Sequence, residues 1–143
     1  MTIDHITIIT KTSSAPYASS SMKVGAIVYV GGEPVATTET IAASGVSQKN
    51  LSLRNQLNPS DITLDGIEFY IEAGGDPTDA WLPGAVYVYA SNADGALLSF
   101  ICGISAWPEE LWMSRDPADP IHAAPPAIAN YNLGTVYRLS QSK

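Results

Sequence analysis

The sequence predicts an all-β fold, an antiparallel β-sandwich of about eight strands in two four-stranded sheets. Three observations predict it. Short runs alternate apolar and polar residues with a period of two, and turn-forming Gly, Pro, Asn and Asp separate them. No long stretch carries an apolar stripe at helical spacing. The chain's 143 residues, 45% apolar and only 15% charged, suit a single core that holds together without disulfides or metal.

The elements come in order along the chain. The first predicted strand, 3–11, puts Ile6 and Ile8 on one face and Thr7 on the other, and the small polar run after it, 12–16, reads as a loop. Strand 22–30 sets Val24, Ala26, Val28 and Val30 on one face. Gly31-Gly32 then closes a tight hairpin, because two residues free to adopt positive φ match the twist of the paired strands. The returning strand, 34–43, is threonine-rich, as a partly solvated edge strand would be. In 46–53 Leu51 and Leu53 share a face, and 55–61 is a turn built on Asn58-Pro59-Ser60-Asp61.

The clearest strand is 67–72, with Ile67, Phe69 and Ile71 inward and Glu68, Tyr70 and Glu72 outward. A polar loop, 74–79, leads through Trp81-Leu82-Pro83-Gly84 into strand 85–90, where Val86 and Val88 point inward. Asn92 to Gly95 turns the chain into strand 97–102. After Trp107 the pattern gives way to a short turn at Pro108-Glu109-Glu110, whose acids suit a first helical turn. A proline-rich crossing, 116–126, and a final strand, 135–139, complete the count. No repeat, charge block or linker divides the chain, so 1–143 reads as one domain.

The charge balance restricts the partners. Seven Lys and Arg against 14 Asp and Glu give a net charge of -7, which repels phosphate backbones and anionic headgroups. Nucleic acid is therefore excluded as a partner, and an acidic membrane would need uncharged apolar contacts or a calcium bridge. Cys102 is the single cysteine, so no intrachain disulfide forms, and its apolar run makes it a buried, inert thiol. Nothing at Met1 to His5 reads as a signal peptide and no run is long enough to span a membrane, so a soluble protein is expected.

Searching for catalytic chemistry finds no constellation, and the expectation is a protein that is not an enzyme. There is no Gly-x-Ser-x-Gly elbow, no helical calcium loop and no phosphate-binding glycine loop. His5, His122 and Cys102 do not stand at zinc-ligand spacing. Glu68 and Glu72 share a strand face about 13 Å apart, outside either glycosidase geometry.

Two features stand out instead. Loop acids Asp76, Asp79 and Asp94, with Asp116 and Asp119, could ligate calcium if the fold gathers them; as turn residues beside Gly and Pro they need no metal. No cofactor is required by the fold. Trp81, Trp107 and Trp112 lie in or beside loops, where an indole serves as a core plug, a membrane anchor or a sugar-stacking platform.

Over 64–107 the order of these features resembles the PLAT domain, the polycystin, lipoxygenase and alpha-toxin module. The residues carrying the resemblance are Leu64, Ile67 and Phe69; the polar loop 74–79; Trp81-Leu82; Val86 and Val88; the turn at Asn92; and Phe100, Cys102 and Trp107. Upstream, 6–10, the loop 11–21 and 24–31 match the family's opening strand, loop and V-x-V-type strand. The likeness spans 3–107. Where the family often carries an acid in its first loop, this chain has Thr12-Ser13-Ser14.

The resemblance implies an eight-stranded sandwich that docks on a lipid membrane surface or a protein partner through its end loops, with calcium as an optional aid. Trp81 and Leu82 match the family's apolar contact; Trp107 and Trp112, read as loop indoles, are further candidate contacts for a membrane or a sugar. A small carbohydrate-binding lectin, taking glycan on loop tryptophans, is the alternative. A subunit of a toxin or homo-oligomeric assembly, joined through edge strands, is a third reading.

Overall fold

A computed structural model of the chain describes residues 2–15, 23–71, 80–114 and 130–141. It is an antiparallel β-sandwich, as the alternation predicts. The strands are β1 (Ile3–Thr12), β2 (Lys23–Val30), β3 (Glu33–Ala42), β4 (Val46–Leu57), β5 (Ile67–Ile71), β6 (Ala80–Trp81), β7 (Pro83–Ser91), β8 (Leu97–Ile104), β9 (Met113–Ser114) and β10 (Asn130–Asn132). A single described helix, α1 (Leu133–Gln141), comes last. One four-stranded sheet runs β4-β1-β7-β8 and the other β10-β5-β2-β3, while β6 and β9 form a small two-stranded pair.

Period-two burial explains why the layers stack. Ile6 and Ile8 of β1, Leu51 and Leu53 of β4, and Val86, Val88 and Ala90 of β7 are buried against Val24, Ala26 and Val28 of β2 and Ile67 and Phe69 of β5. The first sheet thus sends every second side chain into the space between the layers. At the β2–β3 hairpin, Gly31 and Gly32 take φ values of 60° and 82°, the positive-φ pair that the turn requires. β3 and β4 lie together at one flank. At the other flank the edges β8 and β10 leave an opening, and α1 packs into it against β5, β8 and β10.

That helix corrects the predicted last strand. Residues 135–139 are part of α1, and the eighth main strand is β10, which pairs with β5 through Tyr131 opposite Phe69. The side-chain Oδ1 of Asn132 accepts a 3.1 Å hydrogen bond from the amide of Thr135, an N-cap that starts the helix. Leu133 and Val136, three apart, are fully buried. The turn expected at 55–61 begins later, since β4 continues to Leu57 before a 3-10 turn at Pro59–Asp61. The proline-rich crossing at 116–126 lies outside the described residues.

Candidate functional site: an apolar groove beside strand β8

Bulges decide which side chains β8 presents. Ile104 and Cys102 face Val86 and Val88 across the ladder, and strict alternation would send Phe100 inward after them. Instead the register shifts between Val88 and Tyr89, leaving Ile101 without an opposite residue, and Phe100 pairs with Tyr89 on the outer face. A second shift between Ala90 and Ser91 leaves Leu98 unopposed. Each extra residue reverses the inward and outward sense of the rest of the strand.

The consequence is an exposed apolar edge. Leu97, Leu98 and Phe100 are 44%, 55% and 56% exposed, and Tyr137 of α1 is 40% exposed. These are four of the six large hydrophobics exposed among the described residues, and Val46 and Leu139 are the others. Phe100 and Tyr137 line one groove, and Leu97 and Leu98 precede Phe100 on the same strand. The groove holds about 450 Å³, with Ile62, Leu64, Ile101 and Cys102 also among its lining residues. At its rim the Nη1 of Arg138 meets Oδ1 of Asp65 at 2.8 Å, a solvated pair that orients the helix more than it stabilises it. Burial pushes the Cys102 thiol up to about 11, so the groove meets a ligand with a neutral sulfur rather than a thiolate.

The aromatic residues singled out in the sequence go elsewhere. Trp81 and Leu82 are 0% and 1% exposed. They belong to the buried core and offer no surface to a membrane or a sugar. The Trp81 ring stacks on Phe69 with centroids 6.5 Å apart, and Trp107 stacks on the same ring at 6.4 Å. Trp107 is also buried, and its Nε1 donates to the Leu111 carbonyl at 2.8 Å. Trp112 is half-buried and packs against the core, its carbonyl accepting from the Tyr131 hydroxyl at 3.1 Å. Of the three indoles it alone keeps appreciable surface.

Asp94, exposed in the β7–β8 turn, is held by that turn: its amide donates to Oδ1 of Asn92 at 3.0 Å. Asp76, Asp79, Asp116 and Asp119 lie outside the described residues. Among the described residues no three His, Cys, Asp or Glu side chains come together as metal ligands. No helix among them is long and apolar enough to cross a membrane. The groove itself was signalled only by the apolar run of β8, a run that by alternation and composition belongs to the interior.

Comparison with known proteins finds no matching family model and no matching curated protein. Among solved structures, the alpha toxin of Clostridium absonum superimposes with a TM-score of 0.49 at 18% identity, covering 73% of this chain and 30% of that one. The alpha-toxin of Clostridium perfringens from avian strain SWCP does so with a TM-score of 0.47 at 15% identity, covering 74% of this chain and 30% of that one. The chain therefore corresponds to about 30% of the length of either toxin.

Proposed function

We propose that this chain is a non-enzymatic binding module of PLAT-like type that docks on an apolar surface, a lipid membrane or a protein partner, through the β8 edge and the groove beneath α1. The observation that carries the proposal is the concentration of Leu97, Leu98, Phe100 and Tyr137 in and beside one groove. Scattered exposed hydrophobics are ordinary, whereas a contiguous set beside an apolar depression marks an interaction surface. Burying each such side chain contributes on the order of 1–2 kcal/mol to docking. The PLAT-like order of motifs over 3–107 supports the same reading. The contact face differs from the one that the family resemblance implied: it is the β8 edge, not Trp81-Leu82.

Calcium enters the proposal as a bridge. A chain of net charge -7 is repelled by anionic lipid, so the apolar face alone serves for zwitterionic bilayers and a cation adds binding to acidic ones. Co-sedimentation with phosphatidylcholine vesicles, with and without phosphatidylserine, in calcium and in chelator, tests both parts. Binding to the neutral vesicles is expected, and its loss in the double variant Leu98→Ser/Phe100→Ser. If the double variant binds as the parent does, this face is not the docking surface. If no vesicle binds, lipid is discarded, and a screen for a protein partner of the same face becomes the test.

A further inference from the structure

At the opposite end of β7 from the β7–β8 turn lies a second depression of different chemistry. The chain closes on the first residues of β7 from two sides. The Ser13 amide donates to the Leu82 carbonyl at 3.0 Å, and the Trp107 amide donates to the Gly84 carbonyl at 3.0 Å. Between these two anchors a cleft of about 320 Å³ opens over Gly84 and Ala85. Gly84 lets the Ser13 backbone come close: a β-carbon there would stand 3.1 Å from Cα and N of Ser13, a tight contact that a side chain would have to push apart.

Polar groups converge on this cleft. Its lining residues include Lys11, Glu109, Ser13, Ser14, Ser105 and Tyr87. Lys11, Glu109, Ser105 and the Tyr87 hydroxyl make no side-chain hydrogen bond or ion pair among the described residues. Lys11, Ser105 and Glu109 are exposed and Tyr87 half-buried, so a ligand would compete for these groups with water rather than with the protein.

We propose that this cleft binds a neutral saccharide. One cation and one anion cancel, so the lining gives no net attraction to a charged ligand. The hydroxyls, ammonium and carboxylate together both donate and accept, as the hydroxyls of a sugar do. Tyr87 supplies an apolar ring face for the C–H side of a pyranose. The volume sits at the low end of ligand pockets, about 300 Å³, enough for a sugar unit or two. This site is separate from the β8 groove and does not depend on it.

The test is a titration of the labelled protein with neutral oligosaccharides, cellohexaose, chitohexaose, mannohexaose and maltohexaose, monitored by amide chemical shifts, alongside a neutral glycan microarray. Saturable shifts confined to 11–14, 84–89 and 105–109 are expected with at least one glycan. Tyr87→Ala should weaken binding about tenfold, the worth of a lost ring contact. Ser105→Lys, at an exposed loop position away from the core, should do the same by filling the cleft and unbalancing its charge, while Leu98→Ser/Phe100→Ser leaves sugar binding intact. The proposal is overturned if no neutral glycan binds in either assay at millimolar concentration, if only charged glycans bind, or if Ser105→Lys binds as tightly as the parent.

Discussion

The indole Nε1 of Trp81 donates a 2.9 Å hydrogen bond to the hydroxyl of Thr12, 69 residues away in the chain. The bond ties the end of β1 to β6 inside the core, where Trp81 is 0% and Thr12 8% exposed. Replacing Thr12 by Val leaves a buried N–H with no acceptor, which costs about 1–3 kcal/mol. Thr12→Ser keeps the acceptor and should cost less than half as much. Urea unfolding of the two variants checks this; equal losses would mean that the hydroxyl contributes nothing and packing alone is felt.

Alternation made most of this fold legible. Ile67, Phe69 and Ile71 or Val24, Ala26 and Val28 can bury one face only as strands. What the alternation hid was the helix. Thr135 to Leu139 carries β-favouring residues that mimic a strand, and its helical signals are local: the Asn132 cap and the spacing of Leu133 and Val136. The candidate site was hidden for a different reason. Two bulges in β8 turn Phe100 outward and leave Leu98 unopposed, and a bulge is set by neighbouring strands, not by the residue types within the run. Conversely, Trp81 sits beside Pro and Gly, which signalled a surface loop, yet its ring has a partner in Phe69 from another strand.

Gly134 is a contact point between α1 and the turn before β5. A β-carbon there would run into the Asp65 carboxylate and stand 2.9 Å from the Asp65 Cα. Gly134→Ala should therefore lift the helix and break the Asp65–Arg138 pair, destabilising the protein by about 1–3 kcal/mol despite alanine's better helix propensity. Thermal unfolding measures the loss. A variant more stable than the parent would show that the helix is not seated there.

Asn50 holds the β7–β8 turn against the outer face of its sheet. Its Nδ2 donates to the carbonyls of Asn92 and Ala93 at 3.4 and 3.2 Å, and its Oδ1 accepts from Ser91 at 2.9 Å and Thr7 at 3.3 Å. Asn50→Asp replaces the donor with an acceptor facing two carbonyls at an exposed position and should cost about 0.5–1.5 kcal/mol. The same amide nitrogen is the one a glycan would occupy on the Asn50-Leu51-Ser52 sequon, so a glycosylated chain would lose this clamp. Amide exchange at 92–95 reads the effect directly: it should accelerate in Asn50→Asp and stay slow in the parent.

Alkaline pH should weaken the fold in two stages. Burial raises Cys102 from 9.0 to about 11 and Tyr131 from 10.0 to about 12. Each folded-state value lies above its unfolded value, so the unfolded chain releases its proton first as pH rises. The stabilising contribution is complete below the unfolded value and is lost as pH climbs through the folded one. Urea midpoints should fall between pH 9 and 11 on account of Cys102, and on towards pH 12 on account of Tyr131. Cys102→Ala should remove the earlier decline and leave the later one. Parallel pH profiles for parent and variant would show that the thiol does not titrate with folding.

Leu82 and Leu98 separate folding from docking. Leu82 is 1% exposed and Leu98 55% exposed, although either could pass for a loop or core leucine in the sequence. Leu82→Ala leaves a cavity beside Trp81 and should cost about 2–5 kcal/mol. Leu98→Ala removes a side chain already in water and should move stability by no more than about 0.5 kcal/mol. Binding to vesicles or to a protein partner should show the reverse ranking, with the folded fraction of Leu82→Ala binding as the parent does and Leu98→Ala binding more weakly. If Leu98→Ala proves as destabilising as Leu82→Ala, its side chain is packed in solution and the β8 edge is not free to dock.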